Sequence, residues 1–160
     1  MAKAAEQTGH EFMTESGYAG AARKNGELTP ASEDYLEMIY RISVSEDGTE
    51  GGKAVLPKPV RICELAEYLH VAPSSASRMA QTMALRGYID FKRYGYITLT
   101  AAGMETGAYL IRRHGIVIKF LERLRGGDVL VEAERIEHYL TRETVAAMES
   151  AISDGANGSI

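Results

Sequence analysis

Glu134, Glu137 and His138 stand at i, i+3 and i+4 in the stretch VEAERIEHYL. Residues 128–140 read as a helix, in which successive residues turn by about 100°, so the three side chains share one face. Two carboxylates and an imidazole on one face make half a site for a divalent transition metal. The competing reading is a solvated acidic face, and what decides between them is whether other elements supply the missing ligands. Asp34 and Glu37, three apart on an earlier helical run, could do so; the plainer account is a first-turn acid followed by a surface acid. His114 falls in register with an apolar helical stripe between Ile111 and Val117, where a lone His is commonly a satisfied core residue.

The elements that must position these groups begin at Thr29-Pro30. Thr29 suits an N-cap and Pro30 the first helical position, with Glu33 and Asp34 favoured by the helix dipole. Leu36, Ile39 and Tyr40 give that helix an apolar stripe. Residues 45–59 (SEDGTEGGKAVLPKP) carry a loop signal. A short helix over 61–69, a turn at 70–73 and a second helix over 74–86 follow, the second burying Ala76, Met79, Ala80 and Met83. This is a helix-turn-helix pattern, and its second helix can present Ser74, Ser75, Ser77 and Arg78 to phosphates and base edges. Residues 88–98 (YIDFKRYGYIT) read as a β-hairpin with Lys92 and Arg93 near its tip, which completes a winged helix. A long helix over 100–125, the helix of the opening motif, and a last helix capped by Thr141 and ending near Ile152 make up the remainder.

The fold expectation is therefore mainly α with a small β-hairpin. A flexible N-terminal tail (1–28), which holds His10 and Glu11, precedes a winged helix-turn-helix DNA-binding domain (29–99). An all-helical metal-binding and dimerisation domain (100–153) and a C-terminal tail (154–160) follow. The two long apolar stripes of the helical domain exceed what so small a unit needs, which points to a second copy as partner.

Composition supports this division. The net charge of −4 argues against a strongly basic nucleic-acid binder, but the average hides a split. Residues 53–96 hold seven Lys or Arg against three acids, and residues 124–154 three Arg against seven acids. One part is suited to a polyanion and the other to a cation. The single cysteine, Cys63, excludes an internal disulfide or a Cys-rich zinc site, and its place in an apolar pattern predicts a buried thiol. With no run near the roughly 18 apolar residues of a membrane span and no apolar core at the N-terminus, a cytoplasmic protein without membrane contact is the expectation.

Five stretches, SEDYLEMIY, LAEYLHVAPSSASRMAQ, YGYITLTAAG, RRHGIVIKFL and VEAERIEHYL, resemble the diphtheria-toxin-repressor-like (DtxR) metalloregulators. The likeness is closest to their manganese transport regulator branch. It implies a metal set of Asp34, Glu37, His114, Glu134, Glu137 and His138, with two ions per subunit. The iron branch has Met at the position of Asp34 and Cys at that of Glu134; acids at both imply Mn²⁺, with Fe²⁺ as runner-up. The iron branch's second site needs an acid where this chain has Ile118, and the resemblance implies that site is lost. The function expected is a dimeric, manganese-dependent repressor of metal-uptake genes that binds double-stranded operator DNA. Metal would tie Asp34 and Glu37 of the DNA-binding unit to the ligands of the helical unit; without it, the clustered carboxylates would repel and the units move apart. Replacing either His114 or Glu134 by Ala is expected to abolish the metal response while leaving the fold intact. The alternatives are an iron-dependent repressor of the same family or, from a different class, a di-metal carboxylate enzyme. The enzyme reading is weakened because Glu-x-x-His sites draw on two helices, whereas here Arg135 stands three before His138 and no nucleophile is paired with a base.

Overall fold

The computed structural model of the chain describes residues 28–44, 57–92 and 95–156. Arg93, the N-terminal tail with His10 and Glu11, and most of the 45–59 loop lie outside the described residues. Helix α1 (Pro30–Ser43) starts as the sequence dictates: the Thr29 side chain accepts a hydrogen bond from the Ser32 amide, and Pro30 occupies the first turn. A two-residue strand β1 (Val60–Arg61) leads into α2 (Ile62–Tyr68), and α3 (Pro73–Leu85) follows after a tight turn. In that turn His70 adopts a positive φ of 52°. Its amide and that of Val71 return to the carbonyls of Glu67 and Ala66, which closes α2 with a Schellman-type cap.

Strands β2 (Ile89–Lys92) and β3 (Tyr96–Leu99) form the expected hairpin. The sequence did not reveal β1, which pairs antiparallel with β3 and widens the hairpin to a three-stranded sheet of order β1-β3-β2. Two residues are too short a run to carry a period-two signal. Leu36, Ile39, Leu65, Met83, Ile89 and Ile97 are fully buried in the core beneath this sheet, each contributing about 1.5–3 kcal/mol of hydrophobic stabilisation. Cys63 is exposed, contrary to the expectation of a buried thiol. It lies on the outer side of α2, whose buried positions are Ile62, Leu65 and Ala66.

Helix α4 (Ala101–Arg125) belongs to both halves of the molecule. Its Leu110 joins the core of the winged helix, while its Val117 and Leu121 form a second core with Val129 and Ala133. The start of α4 is fixed to the wing by Thr100. The Thr100 hydroxyl donates to the Gly87 carbonyl at 2.7 Å and accepts from the Gly103 amide at 3.1 Å. α4 then crosses α1 closely: a methyl on Gly107 would lie 2.8 Å from the Tyr40 ring, and one on Gly103 would collide with the Tyr88 carbonyl oxygen. Gly103→Ala should accordingly lose about 1–3 kcal/mol in urea unfolding; wild-type stability would show that α4 does not dock this tightly.

The helix expected over 128–140 is shorter. Helix α5 (Leu130–Ile136) tightens into a 3-10 turn over Glu137–Tyr139. The last helix, α6 (Arg142–Ala156), is opened by Thr141, whose side chain accepts from the Thr144 amide, and runs four residues past the expected end.

Candidate metal centre

The 3-10 turn decides how the opening motif is used. A 3-10 turn advances about 120° per residue rather than 100°, so His138 swings off the face that Glu134 and Glu137 share. Those two acids meet His114 instead. Ligand atoms of His114, Glu134 and Glu137 lie within 4.8 Å of one another, a spacing one ion can span. His114 Nδ1 is 2.8 Å from Glu137 Oε2 and 3.8 Å from Glu134 Oε1. His138 faces α1: its Nε2 lies 3.2 Å from Asp34 Oδ1 and its Nδ1 2.8 Å from Glu33 Oε2. The two groupings adjoin through Glu137, whose Oε1 is 4.0 Å from His138 Nε2. Of the six residues expected, five therefore line one seam between α1 and the helical unit. The sixth, Glu37, is turned to Arg41 at 2.6 Å, although its charge still acts on Glu137.

Sequence reasoning missed two participants. Glu33 was accounted for by the helix dipole, and Arg113 by nothing. Arg113 is 3 % exposed; its Nη2 lies 2.7 Å from Glu33 Oε2 and 3.9 Å from Glu137 Oε1. A strongly charged residue beside His114 on an apolar stripe was the available signal, since an Arg is seldom fully buried unless paired. Arg113 also alters the expected electrostatics. The carboxylates need not repel without metal, because Arg113 and a protonated His138 hold positive charge among them.

Burial pushes the Glu137 carboxyl above its ordinary range; the hydrogen bond from His114 and the charges of His114 and Arg113 offset this only in part. Burial also pulls Glu33 upward, but its hydrogen bonds from His138 and Arg113 win and leave it below the usual range. His138 is raised from 6.5 to about 9, by its hydrogen bond to Asp34 first and to Glu33 second. A folded pKa above the unfolded one stabilises the fold fully below the unfolded value, and that contribution is lost as pH rises through the folded value. In chelator, stability to urea should therefore fall between about pH 6.5 and pH 9. Apparent affinity for a divalent ion should rise over the same window, because ion and proton compete for the ring. A flat stability profile would count against the His138 pairing.

The donor chemistry fits a divalent ion: carboxylate and imidazole groups converge, and neither thiolate nor thioether is among them. Elsewhere, α3 carries Ser74, Ser75 and Arg78 exposed and Ser77 half-buried, and Lys92 is exposed at the end of β2.

A winged helix joined to a helical unit across a carboxylate–imidazole seam is the layout of a metal-responsive regulator. Residues 27–97 match the family described as iron dependent repressor, N-terminal DNA binding domain. Residues 100–155 match iron dependent repressor, metal binding and dimerisation domain. The HTH-type transcriptional regulator MntR of Oceanobacillus iheyensis is 34% identical over 119 residues, 73% of this chain and 74% of that protein. Among solved structures, the metal-dependent transcriptional regulator MtsR superposes with a TM-score of 0.64 at 28% identity, over 79% of this chain and 55% of that one. A manganese-dependent transcriptional repressor in complex with manganese gives 0.61 at 26%, over 76% and 52%. The chain thus spans about half the length of these solved relatives. It belongs to the DtxR/MntR family of metal-dependent transcriptional regulators, which are not enzymes. Among the described residues no helix is long and apolar enough to cross a membrane.

Proposed function

We propose that this chain is a manganese-activated repressor of metal-uptake genes that works in the cytoplasm as a homodimer on double-stranded operator DNA. One observation carries the reading: the ligand types converge at a seam, with Asp34 on the helix of the DNA-binding core and His114, Glu134, Glu137 and His138 on the helical unit. Asp34 and the ligands of the helical unit would hold an ion across that seam and so fix how the winged helices are held, and half-sites about one helical turn apart demand fixed spacing. Asp34 and His138 on one side of Glu137, and His114 and Glu134 on the other, support two ions, with Glu37 joining once it leaves Arg41.

Carboxylates and imidazole without sulfur suit a hard ion such as Mn²⁺, with Fe²⁺ close behind. Zn²⁺ would bind more tightly in isolation, so metal supply sets the choice in the cell. Ser74, Ser75, Ser77 and Arg78 read the major groove, and Lys92 with Arg93 holds phosphates beside it. Leu124, Leu130 and Val131, 70%, 50% and 63% exposed, are apolar surface suited to a second copy.

The test titrates Mn²⁺ and Fe²⁺ against a labelled fragment of the gene's own upstream region, followed by anisotropy. Affinity should rise 5–150-fold or so with Mn²⁺, the usual coupling scale. Equal affinity with and without either metal would sink the proposal, and a response to Fe²⁺ alone would replace manganese by iron.

A further inference from the structure

Glu33 is not one of the six residues expected to bind metal, yet it makes the shortest contact to His138. An imidazole has two nitrogens. When one binds a metal, the other commonly donates its N–H to a carboxylate, which fixes both tautomer and ring orientation. The two nitrogens of His138 face different company. Nε2 looks toward Asp34 Oδ1 at 3.2 Å and Glu137 Oε1 at 4.0 Å, both groups of the metal set. Nδ1 looks to Glu33 Oε2 at 2.8 Å and lies 3.3 Å from Arg113 Nη2; only the carboxylate, the shorter contact, can accept a ring N–H, because a guanidinium has no acceptor.

That same Glu33 oxygen is anchored by Arg113 Nη2 at 2.7 Å, from a side chain only 4% exposed. An oxygen already shared between a permanent guanidinium and an imidazole N–H is poorly placed to take up a further cation. It is well placed to hold a ring still. Arg113 reaches on to Glu137 Oε1 at 3.9 Å, so Glu137, Arg113, Glu33 and His138 form one polar chain at the seam.

We propose that Glu33 is a positioning residue for the metal centre: by accepting the Nδ1–H of His138 it presents Nε2 to an ion beside Asp34. The assignment rests on the metal-regulator reading above. Glu33 also lies on α1, in the DNA-binding core, whereas His138 belongs to the helical unit. The residue that orients the ligand therefore belongs to the opposite side of the seam.

The test compares full-length wild type, Glu33→Ala and Glu33→Gln, with Mn²⁺ alone as probe and the free-ion electron paramagnetic resonance signal as readout. Glu33→Ala should bind Mn²⁺ about 10–100-fold more weakly with an unchanged number of ions. Glu33→Gln, whose amide oxygen still accepts the Nδ1–H, should recover most of that loss. Long-range ¹H–¹⁵N spectra of the Zn²⁺-loaded wild type should show His138 protonated at Nδ1, and the Ala variant should lose that single tautomer. Wild-type affinity in Glu33→Ala, an equal loss in Glu33→Gln, or Nε2 protonation in the loaded wild type would each overturn the assignment. Failure of the wild type to bind Mn²⁺ at all would instead overturn the metal-regulator reading on which it stands.

Discussion

Glu134→Ala should abolish the metal response of DNA binding and change little else. The Glu134 side chain is 53% exposed, and its contact with the cluster is His114 Nδ1 at 3.8 Å. Removing an exposed acid normally moves stability by less than about 0.5 kcal/mol, while removing a ligand eliminates the roughly 5–150-fold gain in operator affinity that coupling supplies. Anisotropy titrations with and without Mn²⁺, alongside urea melts in chelator, separate the two quantities. A variant that retains the full response would remove Glu134 from the site. His114→Ala is not equivalent, although the sequence suggested it would be. The His114 ring supplies the 2.8 Å contact to Glu137, which is 1% exposed. Truncation leaves that carboxylate short of a partner and costs about 1–3 kcal/mol in addition to the metal response.

Arg113→Met should produce the largest loss of stability, and metal should partly reverse it. Met fills similar volume without charge, leaving Glu33 and the buried Glu137 without their shared cation. Breaking one side of a buried ion pair typically costs about 3–5 kcal/mol. The side chain is already costly to bury, since its Nε has no hydrogen-bond partner, so its retention at this position calls for the charge. An ion held by Glu137 and its neighbours would return positive charge to the seam. Metal at 100 times its Kd stabilises any one-site protein by about 2.7 kcal/mol, so at equal Mn²⁺ concentration the variant should gain more than wild type, through the lower Kd of a site that has lost a competing cation. Equal stability of variant and wild type in chelator would show that Arg113 is not the cation holding the seam.

The site was legible where it depends on residue type at helical spacing. Intervals alone made Asp34, Glu134, Glu137 and His138 candidates against a solvated acidic face, and register placed His114 on a stripe that proved buried; the family resemblance joined them into one set. The helix-turn-helix and the capping of α1 by Thr29 could be read because local side-chain chemistry determines them. Illegible features were those set by tertiary context. The 3-10 turn at Glu137–Tyr139 looks like helix in sequence, yet from it His138 meets Asp34 and Glu33 on α1 and not Glu134. Glu33 serves a helix N-terminus equally well whether or not an Arg lies 80 residues away to meet it. β1 exists because β3 offers an edge to pair with, and nothing in Val60–Arg61 announces that edge.

Because α4 threads both cores, the DNA-binding half is carried on a rod rather than hung from a tether. Twenty-five residues at about 1.5 Å each give a lever arm of roughly 37 Å. A tilt of about 5° about one end moves the other by roughly 3 Å, close to the rise of about 3.4 Å per base pair along a duplex. Arg113 and His114 sit at the middle of this arm, so a displacement among the residues at the seam would be roughly doubled at its ends.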